Sequence, residues 1–190
     1  MEKIYINDKR FEKIDFNPSN LRIGEYENCV FTQCEFSASS FSQIEFISCE
    51  FEECNLSNVA LKKTSLKDVR FKNCKMLGLH FEDCNPFLFK ISIDSCMLNL
   101  STFYQSKLKN TQFKKSSLHE VDFTEADLTQ SNFSDCDLLH ANFDRTNLEK
   151  SDFRTSYNYT FDPDKNNIKK AKFSIPEVIG LLNKYDIQIS

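Results

Sequence analysis

Eight cysteines, three histidines and a cluster of carboxylates are the groups in this chain best suited to chemistry. Cysteines in even number suggest disulfides in a secreted chain, and cysteines converging with histidines suggest a metal. Their spacing argues against both. Cys29, Cys34, Cys49, Cys54, Cys74, Cys84, Cys96 and Cys136 all fall on one recurring position of a five-residue frame. Residues repeating in one frame point in parallel and do not converge, so they read as small buried hydrophobes. His80, His119 and His140 fall on outward positions of the same frame and belong to no nucleophile or phosphate-loop motif. No catalytic residue, cofactor or metal is therefore expected, and the chain does not read as an enzyme.

The carboxylates are the second chemical feature. Residues 120–164 carry eleven acidic side chains against three basic ones, although the whole chain is only −4. Such a stretch can attract a cationic surface. A basic zone, Lys62, Lys63, Lys67, Arg70, Lys72 and Lys75, precedes it.

The frame that positions these groups is a repeat. Stepping by fives from Ile6 to Phe81, and again from Leu88 to Phe153, meets a large apolar residue at all thirty positions. At 40% hydrophobic composition, chance gives on the order of 10⁻¹². Two places before each of these centres sits a mostly small residue, as in Ala126-Asp127-Leu128, Cys136-Asp137-Leu138 and Ala141-Asn142-Phe143. A period of five fits neither a helix nor a flat strand. It fits a chain that turns a corner every five residues, so that four sides close a coil and successive coils stack. Leu and Phe centres alternate from Leu98 to Phe153, which predicts Phe ladders on two opposite sides. Ile14, Ile44, Leu79 and Ile91 are bulky for the small position and predict wider or less regular coils.

The pattern A-(D/N)-(L/F)-x-x resembles the pentapeptide-repeat family over about residues 4–153. That resemblance implies an all-β solenoid, a right-handed quadrilateral β-helix. The helix is expected over 1–173, irregular at 82–87 and 154–167. The two registers differ by two residues at 82–87, which reads as a tolerated insertion or as a partner-contact loop.

Residues 174–190 form the expected second unit. Ser174-Ile175-Pro176-Glu177 reads as a capping box, followed by a short helix over about 175–184 and a strand-like alternation of Tyr185, Ile187 and Ile189. Val178, Ile179, Leu181, Leu182, Tyr185, Ile187 and Ile189 exceed the apolar area one end-layer can cover. They are the expected homodimer interface, with a simple cap as the alternative. The order of these elements resembles the Qnr, MfpA and McbG type of pentapeptide-repeat protein. That resemblance implies a C-terminal dimer that mimics duplex DNA, binds DNA gyrase or topoisomerase IV and protects it from quinolones or toxins. The absence of a long protruding loop places the MfpA-like branch nearer.

Within the regular part of the repeat, Asp122, Asp137, Asp144 and Asp152 have no basic residue one coil before or after. They are the candidate partner-binding residues. The alternative is a scaffold rod for a different protein partner. Neither reading includes direct nucleic-acid binding. No apolar run is long enough for a membrane span or a signal peptide, so the expected location is the cytoplasm.

Overall fold

The computed structural model describes residues 3–16 and 21–188. Each strand pairs in parallel with the segment one coil later. Strand β1 (Ile4–Asn7) lies on β3 (Gly24–Glu27), and β2 (Arg10–Glu12) lies on β4 (Val30–Thr32), each residue opposite the one twenty positions on. The same spacing continues as single bridges far along the chain, such as Thr102 to Asp122 to Asn142 and Asn132 to Asp152 to Lys172. The molecule is thus the four-sided β-helix that the repeat predicts.

Burial follows the frame. Every centre from Leu21 to Phe81 and from Ile93 to Phe153 is buried, while Ile6, Phe11 and Phe16 of the first coil are half-buried against it. Each buried Phe or Leu contributes about 1.5–3 kcal/mol of transfer free energy. The predicted ladders form: Phe113, Phe133 and Phe153 stack with centroids 4.9 and 4.7 Å apart. Phe103, Phe123 and Phe143 stack at 5.4 and 5.1 Å. The two ladders meet edge to face across the core, Phe123 to Phe133 at 5.9 Å and 84°, which suits the ring quadrupoles.

The small position has a reason beyond size. A buried hydroxyl or thiol there donates to the carbonyl of a centre one coil earlier: Thr64 to Phe41, Ser131 to Leu108 and Thr146 to Phe123 at 2.6–2.9 Å. Cys54 and Cys74 reach Phe31 and Phe51 in the same way at 3.3 Å. A Ser, Thr or Cys thus satisfies a carbonyl in the dry interior.

Many corners are β-turns in which the small residue's N–H reaches back to the centre's carbonyl, for example Ser39 to Phe36 and Ser106 to Phe103, both 2.9 Å, whereas at Cys34, Cys74 and Cys96 that N–H goes to the small side chain of the next coil. The residue before the small one has positive φ, as at Ala38, Gln130 and Lys150, the requirement of a type II turn. Gly78, at φ +63°, is the one glycine in such a corner among the described residues.

Of the four bulky residues at the small position, Ile44 and Leu79 enter the core in register, Ile14 is exposed, and a register shift accompanies Ile91, where β5 (Ser65–Lys72) meets β6 (Lys90–Asp94). One expectation is corrected. Leu88 is not a centre: it is 63% exposed with φ +57°, and Phe89 turns inward in its place. Asn85 still keeps the earlier register, with its side chain 3.1 Å from Ser65. The two extra residues are therefore absorbed between Asn85 and Ile91: Lys67 lies opposite Lys90, twenty-three on, and from Val69 opposite Ile91 partners are twenty-two apart, as at Lys75 opposite Met97. By Met97 to Ser117 the spacing is again twenty.

At the far end, the coil 154–167 keeps its count, Asn147 opposite Asn167, while Tyr159 and Phe161 fill its interior. The C-terminal helix is 3₁₀ rather than α, in two pieces, Glu177–Leu181 and Asn183–Tyr185. No capping box forms, because Glu177 accepts from the Asn158 N–H at 3.1 Å instead of reaching Ser174. Asp186 is left-handed, so Tyr185 and Ile187 do not continue as a strand. Ile189 lies outside the described residues.

Candidate interaction surfaces

The coil geometry decides what the outward side chains can do. The residue just before a centre projects outward and, when it is Asp or Asn, its oxygen accepts the N–H two residues on. Asp122 accepts from Thr124 at 2.9 Å, Asp137 from Leu139 at 3.2 Å and Asp152 from Arg154 at 3.1 Å. This is an Asx turn. Three of the four candidate acids therefore also hold corners.

Nor are those acids unpaired as expected. Arg154 forks onto Asp152 at 2.7 Å and Lys172 stands at 3.9 Å. Arg145 lies 3.0 Å from Asp144, and His119 lies 2.8 Å from Asp137. Arg145 and Arg154 reach neighbours on their own coil, His119 reaches Asp137 from the preceding coil, and Lys172 lies one coil beyond Asp152, outside the regular repeat. Asp122 alone of the four has polar partners without a cation, Thr124 and Asn142. Arg154 holds the Asp152 carboxyl below its ordinary range, against burial that opposes ionisation. For Asp137, burial acts upward but hydrogen bonds from Asn158 and His119 outweigh it, and the net shift is downward. Oppositely charged residues one coil apart pair at Lys72–Glu52, 2.6 Å, and Arg145–Glu125, 2.9 Å. Asp127 pairs with Lys109 at 3.3 Å, in place of Lys107.

The structure sorts charge by side, which the linear sequence hides. Asp122, Glu125 and Asp144 share the side outside Phe123 and Phe143 with Arg145, which pairs with both Glu125 and Asp144, and Glu120 and Asp137 occupy the adjoining side. The opposite two sides carry Lys107, Lys109, Lys114, Lys115, Lys150, Arg154 and Lys172, with Asp127, Asp135, Glu149 and Asp152 among them. Asp122 and Asp144 are thus brought together, Asp137 lies round one corner, and Asp152 stands on the far side among cations.

At the C-terminal end, Ile175 is 87% exposed, and Ile179, Tyr185 and Ile187 are also exposed. Leu181 is buried, Val178 packs on the core and Leu182 is half-buried. The segment therefore covers the last layer and still presents an apolar outer surface. Gly180 makes this closure possible, since a Cβ there would meet the Tyr159 carbonyl oxygen at 1.9 Å.

Other chemistry is sparse. All eight cysteines are buried free thiols, and burial pushes Cys49 and Cys136 up to about 12. No group of side chains suited to holding a metal occurs among the described residues. No helix among them is long and apolar enough to cross a membrane.

The remaining surface feature was invisible to sequence reasoning. Phe81, Cys84, Pro86 and Phe89 floor a cleft of about 380 Å³, rimmed by Glu82, Tyr104, Gln105 and Lys107. It opens where the inserted turn stands away from the next coil.

Comparison with known proteins agrees with this architecture. Similar structures include a trypsin-treated form of QnrB1, a plasmid-mediated fluoroquinolone resistance protein, at 15% identity and TM-score 0.64, covering all of both chains. HetL, a pentapeptide repeat protein involved in heterocyst differentiation regulation from the cyanobacterium Nostoc sp. strain PCC 7120, aligns with TM-score 0.71. It is 14% identical, over 91% of this chain and 89% of its own. At such identities the likeness is one of fold. A search of curated proteins found no match. The model of the pentapeptide repeat region matches residues 24–92 and 80–153, and the chain belongs to the pentapeptide repeat family.

Proposed function

We propose that this protein is a binding rod that presents an acidic side to a DNA-handling enzyme, with DNA gyrase or topoisomerase IV as the partner, and protects it from quinolones or toxins. The observation that carries this reading is the sorting of charge. Asp122, Glu125 and Asp144 line one side, with Arg145 paired to the latter two and Glu120 and Asp137 beside them, while most cations of these coils gather on the opposite sides. A surface that repeats carboxylates along a straight axis offers a DNA-binding groove a partial substitute for duplex phosphates. The fluoroquinolone-resistance role of QnrB1, whose fold this chain shares, supports the same direction. The exposed Ile175, Ile179, Tyr185 and Ile187 support a homodimer through the C-terminal end, which would lengthen the rod.

A second reading, a scaffold rod for another protein, is favoured by the cations that already engage Asp144 and Asp152. A supercoiling assay separates the two. Under the first reading the wild type relieves quinolone inhibition of gyrase at low salt. Asp122→Asn with Asp144→Asn removes that relief, and Asp152→Asn on the far side preserves it. Asn keeps the turn hydrogen bond of Asp122, so the fold is maintained. Wild-type protein that leaves gyrase unchanged, with and without quinolone, discards the first reading.

A further inference from the structure

The inserted turn is built unlike any other corner. Phe87 and Leu88 stand 64% and 63% exposed at its tip, on a rod whose centres are otherwise buried. Beside them lies the 380 Å³ cleft, with Phe81, Cys84, Pro86 and Phe89 as its floor. A cleft of this size accepts one large side chain. The apolar surface continues beyond it onto the tip, so its occupant is larger than a small molecule. Contiguous apolar surface of this kind marks an interaction site.

The surroundings specify the occupant's charge. Lys107 is on the rim, and Lys62 and Lys63 lie one coil below Glu82 and Asp83. Among the described residues none of these three lysines has an ion-pair partner. Glu82 does not meet Lys62 as the stacking predicts, because it turns to His80 at 3.0 Å. Lys67 lies 5.6 Å from the centre of the Phe87 ring, itself held by Glu45, and Lys90 is held by Asp68. Three lysines without an ion-pair partner among the described residues thus lie on the rim or one coil below the apolar anchor site, against two carboxylates, Asp83 and the His80-bonded Glu82.

We infer that this turn docks an acidic polypeptide segment of a partner protein, which inserts one aromatic or long aliphatic side chain into the cleft. The anchor supplies affinity by displacing water from an apolar pocket. The flanking acids supply orientation and association rate against Lys62, Lys63 and Lys107. The cleft opens on the same side of the rod as Asp122 and Glu125, Phe81 stacking under Phe103 and Phe103 under Phe123, with the rim residue Gln105 donating to Glu125 at 2.7 Å; a peptide assay without gyrase reads this site apart from the gyrase reading.

The test uses fluorescence polarisation with the intact protein and short labelled peptides. The first carries a Phe flanked on each side by two acidic residues, the second replaces that Phe with Ser, and the third replaces the acids with Lys. The first should bind, and each of the others should bind about ten-fold more weakly or worse. Lys107→Glu, and separately Phe87→Ser with Leu88→Ser, should weaken the first peptide by a similar factor. These residues are exposed, and circular dichroism should show an unchanged fold. Absence of binding by the first peptide overturns the inference. Equal binding of the Ser peptide overturns it too, since charge alone then suffices. A change in sedimentation of the tip variant, without any peptide, assigns the tip to a second copy of this chain and likewise overturns it.

Discussion

Phe113 and Phe133 stack with centroids 4.9 Å apart and planes within 1° of parallel. Phe133 also meets Phe153 above and the edges of Phe123 and Phe143 across the core. Removing that ring opens a cavity bounded by stacked neighbours that cannot collapse into it. Phe133→Ala should cost roughly 3–5 kcal/mol in a denaturant titration. The outward Gln130→Ala should cost under about 0.5 kcal/mol. Equal costs would mean that the inward and outward positions are misassigned.

Ser131 tests the second half of the core. Its hydroxyl donates to the Leu108 carbonyl at 2.6 Å in a buried setting. Ser131→Ala leaves that carbonyl only its turn bond from the Thr111 N–H at 3.1 Å and should destabilise by about 0.5–1.5 kcal/mol. Ser131→Cys should recover part of the loss, because Cys54 and Cys74 make the same contact in their own coils. An alanine variant as stable as wild type would show that the bond contributes nothing.

The thiols should be silent in the folded state. Burial pushes Cys49 and Cys136 up to about 12, so thiolate is scarce at neutral pH and the sulfurs are covered. Labelling by a thiol reagent should be slow until denaturant is added. The same shifts make stability fall as pH rises above the ordinary thiol value of about 8.5, because the unfolded chain then releases protons that the folded chain retains. Fast labelling of native protein would contradict the inward placement.

Gly78 sits at φ +63°, and a Cβ there would lie 2.6 Å from Asn58 Oδ1. Gly78→Ala should therefore lose more than the ~1 kcal/mol expected of conformation alone. Pairing it with Asn58→Ala should restore the steric share. A Tm identical to wild type would argue that this corner relaxes freely.

Asp152 carries an acid-side signature. Arg154 holds its carboxyl below the ordinary range, so its contribution is present above the unfolded value of about 3.9 and is lost as pH falls through the folded one. Because Arg154 is largely exposed, the contribution stays within about 1 kcal/mol. Asp152→Asn should be slightly less stable than wild type at pH 6 and equal to it near pH 2. Parallel pH profiles would exclude the ion pair as a source of stability.

The centres were legible because burial and spacing are one constraint, repeated in every coil. Leu88 was misplaced because counting back in fives from Ile93 carries the later register across the insertion. The chain instead keeps the earlier register as far as Asn85. The left-handed corners left no glycine signature, since Asn, Gln, Lys and Asp occupy most of them. The acidic side was only half legible. A linear count finds the carboxylates but cannot separate Asp122 and Asp144 from Asp152, which lies ten positions round the coil from the first pair's side. The cleft could not be foreseen, because it depends on where two surplus residues are absorbed.

That absorption behaves like a line defect in a crystal. The twenty-residue stacking holds on both sides, and the misfit is confined to a single layer between Asn85 and Ile91. A whole layer inserted elsewhere would lengthen the molecule by about 4.8 Å and return every side chain to its original compass bearing. Length is therefore quantised here, whereas a two-residue surplus costs no alignment and yields a protrusion. The molecule can change its reach and its landmarks by separate edits, as a ruler can be extended without moving its notch.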